Sequence, residues 1–391
     1  MSADARPLLL VANARMPSQR AQSLQVAQAA ASFARAGVDT TLLHARRRRA
    51  PALAAGEDLW SHYAIPRGPR PRVEAVPCFD CIDLFPRALQ YAPARLQELS
   101  FARNAARRVR RADLDVRVLS RELETAWALG ARSGVFLEVH RVPGSRTRRR
   151  WLVAAASRAA GVVAISGGVR ADLVALGVAP GSILVEHDAF EPARFAAAPA
   201  RDAARRALDL AADATIAVYA GGLLEWKGVD LLVEAARAEP GLLVVVAGGM
   251  DADVARLRER ARGALNVRID GFQPPARVPL YLAAADFGVV PNRSTPDISA
   301  RYTSPLKVFE AMSLGLPLLV SDLPSLREVL ADDEALFVAP DSARELARGL
   351  ARLARDAPLR AELGARLLAR APRHTWDARA ARLLAWMEER A

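Results

Sequence analysis

Two lysines stand out in this sequence because there are no others. The chain has 55 basic residues, and only Lys227 and Lys307 are lysines. An ammonium is a compact point charge on a flexible stem, whereas a guanidinium is a planar fork. Where nearly every cation has become arginine, a retained lysine points to a place that needs the compact charge; the plain alternative is chance survival. Lys307 lies in RYTSPLKVFEAMSLGLPLLVSD, residues 301–322, which reads as loop, helix, turn and strand. Ser304 followed by Pro305 predicts a capping hydroxyl and then proline at the first helical position. Gly315 and Pro317 predict the end of that helix, over 305–314. Lys307 then falls in the first turn, where the helix dipole is already positive and no acid balances it. An extra cation there suits a docked anion. Glu310, three residues on, shares its face. A phosphate at the helix mouth and a carboxylate one turn deeper, able to grip a sugar diol, suit a nucleotide-sugar diphosphate.

Lys227 belongs to YAGGLLEWKG, residues 219–228, a strand entering a glycine turn and then a helix. Gly221 and Gly222 would let backbone amides approach a phosphate closely, although the segment is neither a P-loop nor G-x-G-x-x-G. DGFQPP, residues 270–275, ends a strand at its carboxyl edge, where open sheets bind ligands; a proline-stiffened loop explains it equally well. His140 ends the strand FLEVH at the carboxyl edge of the first half and is either cleft-facing or structural. Glu186, His187 and Asp188 stand at the domain junction, where a carboxylate could order the hinge or bind sugar. There is no H-E-x-x-H, no G-x-S-x-G and no D-x-D run to hold a metal–diphosphate. Phosphate charge would therefore fall to Lys227, Lys307, helix dipoles and backbone amides. No metal and no cofactor are expected.

The elements that must position these residues are alternating strands and helices, which imply parallel sheets covered on both faces. Strands are expected at 7–13, 38–44, 116–120, 135–140, 162–165 and 183–186. After a break at 190–200 they return at 215–220, 242–247, 267–270, 287–291, 318–321 and 335–338. Residues 45–85 read as a long, partly irregular insertion rich in proline and arginine, and 342–370 as helical. The fold class is α/β, with two Rossmann-like doubly wound parallel-sheet domains facing a cleft. The first domain is residues 1–190, with 371–391 returning to it; the second is 191–370.

At 391 residues two domains are the natural size, and 52% hydrophobic with 25% charged residues is ordinary for a globular protein. No apolar run is long enough to span a bilayer, and PLLLVA near the start reads as a strand, so a cytoplasmic location is expected, with the inner membrane face as a peripheral site. Cys78 and Cys81 form a lone C-x-x-C without partner ligands and read as reduced thiols. The net charge of +12 is uneven: residues 1–190 hold 28 arginines against 16 acids, and the rest is neutral. Runs such as Arg46–Arg49, Arg107–Arg111 and Arg146–Arg150 would attract an anionic membrane face or a phosphorylated acceptor. A nucleic-acid binder is disfavoured, because the basic runs lack interleaved aromatics and no recognition module is visible.

These segments together resemble the GT-B glycosyltransferases of family 4. The resemblance is carried by YAGGLLEWKGVDLLVEA, GFQPPARVPLYLAAADFGVVPN, YTSPLKVFEAMSLGLPLLVSDLPSLREVL and HDAFEPARF, spanning most of residues 160–340. It implies a retaining, metal-independent transfer of sugar from a nucleotide diphosphate sugar, UDP- or GDP-linked, to a hydroxyl acceptor. The setting implied is cell-envelope polysaccharide, glycolipid or glycoconjugate synthesis. It also implies that Lys227, with Thr303, Ser304, Pro305 and Leu306 and with Lys307 nearby, holds the diphosphate. Glu310 would hold the ribose, the backbone around Phe272 the base, and His140 would touch the donor sugar. Two positions depart from the family pattern: Tyr302 stands where a first glutamate is usual, and Gly222 where an arginine is usual. Loop 292–301, with Arg293, Asp297 and Arg301, could supply substitutes. The N-terminal loop carries Asn13, Ser18 and Gln19 in place of a glycine pair. A sugar-nucleotide epimerase or hydrolase shares the architecture and is the alternative.

Overall fold

The computed structural model describes residues 6–113, 115–130 and 132–390. They form two compact units, one of residues up to His187 together with those from Trp376 onward, the other Asp188–Thr375. The expected boundaries, 190/191 and 370/371, lie three and five residues away.

The first unit is built on seven strands: β1 (Leu8–Arg15), β2 (Thr40–Arg46), β3 (Arg72–Pro77), β4 (Arg117–Ser120), β5 (Val135–Val139), β6 (Gly161–Ala164) and β7 (Ile183–Val185). They lie in the order β3-β2-β1-β4-β5-β6-β7, with every pairing parallel. Runs such as Leu8–Ala12 are buried throughout, as strands covered on both faces must be. The order reverses between β1 and β4, with Leu8 opposite both Thr40 and Arg117. The carboxyl ends there form the crevice in which open sheets bind ligands. The helix Trp376–Glu388 belongs to this unit. Its Trp376 indole donates to the buried Gln28 side chain at 2.7 Å, and Trp386 packs 5.6 Å from the Phe136 ring.

The second unit holds β8 (Thr215–Ala220), β9 (Leu242–Ala247), β10 (Val267–Gly271), β11 (Phe287–Val290), β12 (Leu318–Ser321) and β13 (Leu336–Val338), in the parallel order β10-β9-β8-β11-β12-β13. The reversal lies between β8 and β11. Two apolar layers sandwich the sheet, one around Val308, Phe309 and Met312, the other around Leu232, Val246 and Leu350. Below the strands the buried Arg205 and Asp286 pair at 2.8 Å, and Asp286 also accepts from the Ile216 amide at 2.7 Å.

Two stretches hold more than their patterns predict. The partly irregular stretch 45–85 contains an edge strand, Arg72–Pro77, whose residues are mostly exposed or half-buried. Residues 342–370 are two helices, Ala343–Arg355 and Ala357–Arg370. Asp356 breaks them apart by accepting from the Leu359 amide at 2.9 Å and capping the second. Among the described residues no helix is long and apolar enough to cross a membrane.

Candidate donor-phosphate site

The helix carrying Lys307 begins one residue later than the sequence predicts, at Leu306, and runs to Ser313. Ser304 does not cap it. Its hydroxyl accepts instead from the Asp188 amide at 2.7 Å, and the Thr303 hydroxyl donates to the Ile298 carbonyl. Pro305 occupies the cap position without a capping side chain, so it is not the first helical residue. Lys307 is therefore the second residue of the helix, and the first turn holds no acid. The opening amides of a helix have no acceptor within it, and Lys307 adds a full charge beside them.

The Lys307 ammonium donates to the Tyr219 hydroxyl at 3.2 Å and lies 4.5 Å from the centre of that ring. Tyr219, next to the last residue of β8, is fully buried, and its own hydroxyl donates to the Gly222 carbonyl at 2.5 Å. A chain of two hydrogen bonds thus ties the helix to the glycine turn. Gly221 stands at φ +150°, a conformation that favours glycine, and a Cβ on it would come within 3.2 Å of the Lys307 Nζ. Gly222 is exposed.

Lys227 ends a single 3-10 turn, Glu225–Lys227. Gly228 follows at φ +66°, a conformation costly for other residues, and a Cβ there would meet the Pro291 carbonyl at 2.0 Å. The turn is therefore pressed against the carboxyl end of β11. The Lys227 ammonium sits 3.8 Å over the Trp226 ring, within hydrogen-bonding reach of Lys307. Burial drives the Lys227 pKa well below the ordinary lysine value, and the neighbouring Lys307 charge lowers it further. Burial also pushes Lys307 down to about 8, against the opposing pull of Glu310. Among the described residues neither lysine has a carboxylate ion pair.

Glu310 is committed elsewhere. Its carboxylate pairs at 3.2 Å with the guanidinium of Arg194, which is almost wholly buried. Arg194 also donates to the Pro275 carbonyl at 3.2 Å. Pro275 ends the loop that contains Phe272, which is half-buried, so one arginine links the helix carrying Glu310 to the loop after β10. Asn292, just past β11, is fully buried, and neither side-chain amide atom has a partner. A polar group left this way in a native fold calls for a water or a ligand. In loop 292–301, Arg293 is turned onto Asp230 at 2.6 Å, and Asp297 opens the short helix Asp297–Ala300. Tyr302 is buried beneath it.

In the first unit, His140 lies just beyond β5 and is tied within a charge cluster. Its Nε2 is 2.6 Å from a Glu138 oxygen and 2.7 Å from Arg121. Glu138 also pairs with Arg379 at 2.9 Å. Burial alone would raise the Glu138 carboxyl, but Arg379 and Arg121 hold it well below the usual carboxylate range. Asn13 exchanges two side-chain hydrogen bonds with Gln97. Cys78 and Cys81 are free thiols.

The structure thus brings Lys227, Lys307, Gly221, Gly222 and the 303–306 loop to the β8/β11 reversal. Tyr219, Trp226, Arg194 and Asn292 were not singled out by the sequence. The rarity that marks a lysine has no counterpart for a strand tyrosine whose partner lies 88 positions away.

Residues 200–367 match the model of the family described as Glycosyl transferases group 1. The chain is 32% identical over 206 residues to a D-inositol 3-phosphate glycosyltransferase of Jonesia denitrificans, covering 48% of this chain and 46% of that one. A protein of the same description from Kineococcus radiotolerans is 30% identical over 244 residues, 56% and 54% of the two chains. The chain spans about half the length of the curated relatives it matches. Among solved structures, Anabaena HepE in complex with UDP and glucose superposes with a TM-score of 0.73 at 17% identity, over 98% of this chain and 100% of that one. Sucrose-phosphate synthase of Thermosynechococcus elongatus does so at 0.77 and 20%, over 98% of both. The chain has the GT-B fold, and its second unit carries the match to the glycosyl transferases group 1 domain.

Proposed function

We propose that this protein is a retaining, metal-independent glycosyltransferase. It moves a sugar from a UDP- or GDP-sugar to a hydroxyl on a glycan or lipid-linked acceptor, and its basic first unit works against an anionic membrane face. The observation that carries the reading is the lysine pair: two lysine side chains share one partly buried spot beside a helix mouth, and among the described residues neither makes an ion pair with a carboxylate. A diphosphate supplies the opposite charge. As the bond from sugar C1 to the diphosphate oxygen breaks, its electron pair stays with the phosphate, and Lys227 and Lys307 stabilise the growing negative charge. The departing phosphate oxygen takes the acceptor's proton while the acceptor oxygen bonds to C1 on the same face. Glu310, aimed by Arg194, holds the ribose, and the Phe272 backbone holds the base. The complex of Anabaena HepE with UDP and glucose supports UDP as the first nucleotide to try.

The test is a thermal-shift series with UDP, GDP and ADP, followed by sugar transfer in excess EDTA. At about 100 times its dissociation constant the correct nucleotide adds roughly 2.7 kcal/mol. Activity lost to EDTA and restored by magnesium or manganese overturns metal independence, and donor turnover without an acceptor favours the epimerase or hydrolase.

A further inference from the structure

The exposed large apolar side chains are not scattered over the molecule. Nine of the thirteen among the described residues fall between Val73 and Trp127 in the first unit. Phe79, Leu84, Phe85 and Leu89 lie on the turns before the helix Tyr91–Arg110, and these turns pack on that helix. The Phe79 amide donates to the Ser100 hydroxyl at 2.8 Å, and the Gln90 side chain donates to the Phe85 carbonyl at 2.9 Å. Phe101, Ala105 and Val109 face the core of the unit. The opposite stripe is Leu96, Leu99, Arg103, Arg107 and Arg110, all exposed. Their spacing of three or four residues keeps them on one line down the helix. The stripe is apolar at its start and cationic at its end, and carries no acid. A groove of about 400 Å³ runs between it and Trp127, floored by Ala102, Ala106 and Ala128, and the carboxylate in its lining, Glu124, is paired with Arg95 and Arg148. Trp127 stacks on Trp151 with ring centres 5.2 Å apart.

The arginines of the stripe differ from those beside it. Arg108 bonds both oxygens of Glu74 at 2.9 Å, and Arg148 pairs with Glu124 at 2.9 Å. Arg103 and Arg107 have no ion pair among the described residues.

We propose that this face docks on an anionic lipid bilayer. Phe79, Leu84, Phe85, Leu89, Leu96 and Leu99 enter the acyl boundary, while Arg103 and Arg107 reach the lipid phosphates. The proposal rests on the membrane reading above, which came from charge alone, and locates that contact residue by residue. A soluble polyanion would engage the arginines and leave the leucines and phenylalanines in water without a purpose. An apolar face joined to unpaired cations matches the interfacial zone, where apolar side chains and cationic heads partition together.

The experiment is co-sedimentation of the full chain with phosphatidylcholine vesicles containing about 30% phosphatidylglycerol, a composition chosen for surface potential, and with pure phosphatidylcholine vesicles. Each is run at low and high salt, with circular dichroism of every variant. The parent is expected on anionic vesicles, and part of its binding survives high salt. The double variant Leu96→Glu/Leu99→Glu should weaken binding by about tenfold or more, and Arg103→Gln/Arg107→Gln by on the order of fivefold per arginine. Leu265→Glu/Leu368→Glu, on exposed sites of the second unit, should bind as the parent does. A parent that never sediments overturns the membrane reading itself. A parent that sediments while Leu96→Glu/Leu99→Glu sediments equally well overturns only this surface. Equal binding to soluble dextran sulfate, unaffected by the leucine changes, assigns the stripe to a soluble polyanion and also overturns it.

Discussion

A cluster of partly or wholly buried charge lies near the carboxyl edge of each unit's sheet, around Glu138 in the first and at the lysine pair in the second, and the two are built oppositely. In the first unit Glu138 sits among Arg121, Arg379 and His140, so each charge meets its opposite inside the protein. In the second unit Lys227 and Lys307 meet each other, a tyrosine hydroxyl and an indole face, and among the described residues neither pairs with a carboxylate. The carboxylate accordingly titrates low, and the ammoniums titrate low as well. Both shifts are downward, but they mean different things. For an acid it reports satisfied charge; for a base it reports charge that the protein has left unpaid. Glu138 is answered within the fold it belongs to, whereas the lysines are the pair to which the proposed function assigns the donor's diphosphate.

The comparison breaks first at Glu138. Removing one partner of a buried network leaves the others uncompensated. Glu138→Gln should destabilise the protein by about 3 kcal/mol, read as a lowered midpoint in urea. A midpoint within error of the parent would show that Arg121 and Arg379 do not depend on it.

Next in size is Lys307→Arg. If only positive charge mattered, the change would be nearly silent. With the diphosphate where we propose it, a guanidinium fork would push it off the helix amides, and a displacement of about 1 Å can cost on the order of a hundredfold in rate. Most activity should be lost with the melting temperature kept, while Arg348→Lys, on an exposed helix face where it pairs with Glu345, should lose none. Parental rates in Lys307→Arg at saturating donor would end the argument from the two lysines.

Much of the fold was readable because a parallel sheet buries both faces, and runs such as LLLVA and LLVVVA announce themselves. Edge strand Arg72–Pro77 was not, since half its side chains face water and its pattern is that of a loop. The break at Asp356 was written in the sequence as Asp-Ala-Pro, a cap followed by proline, and the helical period on both sides hid it. At the site, rarity exposed the lysines. The Ser304 hydroxyl misled because its competitor for a hydrogen bond, the Asp188 amide, lies 116 residues away. Arg194 and Asn292 owe their significance to what surrounds them, and composition cannot reveal that.

The pH dependence of nucleotide binding sharpens the comparison further. Lys307 titrates near 8, so its ammonium is present below that pH and lost as pH rises through it. A diphosphate binds the ammonium form, so binding takes up protons around pH 8, and affinity falls above it. For one such group, UDP should bind about tenfold more weakly at pH 9 than at pH 7. Calorimetry in two buffers of different ionisation heat reads the proton uptake directly. Release of protons, or an affinity flat from pH 7 to 9, would contradict the lowered lysine.

The smallest effect is the most discriminating, because its sign is opposite in the two clusters. With no ligand bound, Lys307 pays for a charge that burial disfavours below about pH 8, and this cost fades as the ammonium deprotonates between about 8 and 10.5. Replacing the side chain with methionine removes the charge, keeps most of the volume and gives up one hydrogen bond to Tyr219. Exchange of a poorly compensated buried charge for an apolar isostere is often neutral or stabilising. At pH 7 Lys307→Met should therefore gain on the order of 0.5 kcal/mol over the ligand-free parent, and the gain should vanish near pH 10. With saturating UDP the order reverses, because the parent gains the nucleotide's binding energy and the variant does not. Denaturation midpoints at pH 7 and 10, with and without UDP, supply all four values. If ligand-free Lys307→Met loses stability as Glu138→Gln does, the ammonium is satisfied by the protein after all, and the two clusters are of one kind.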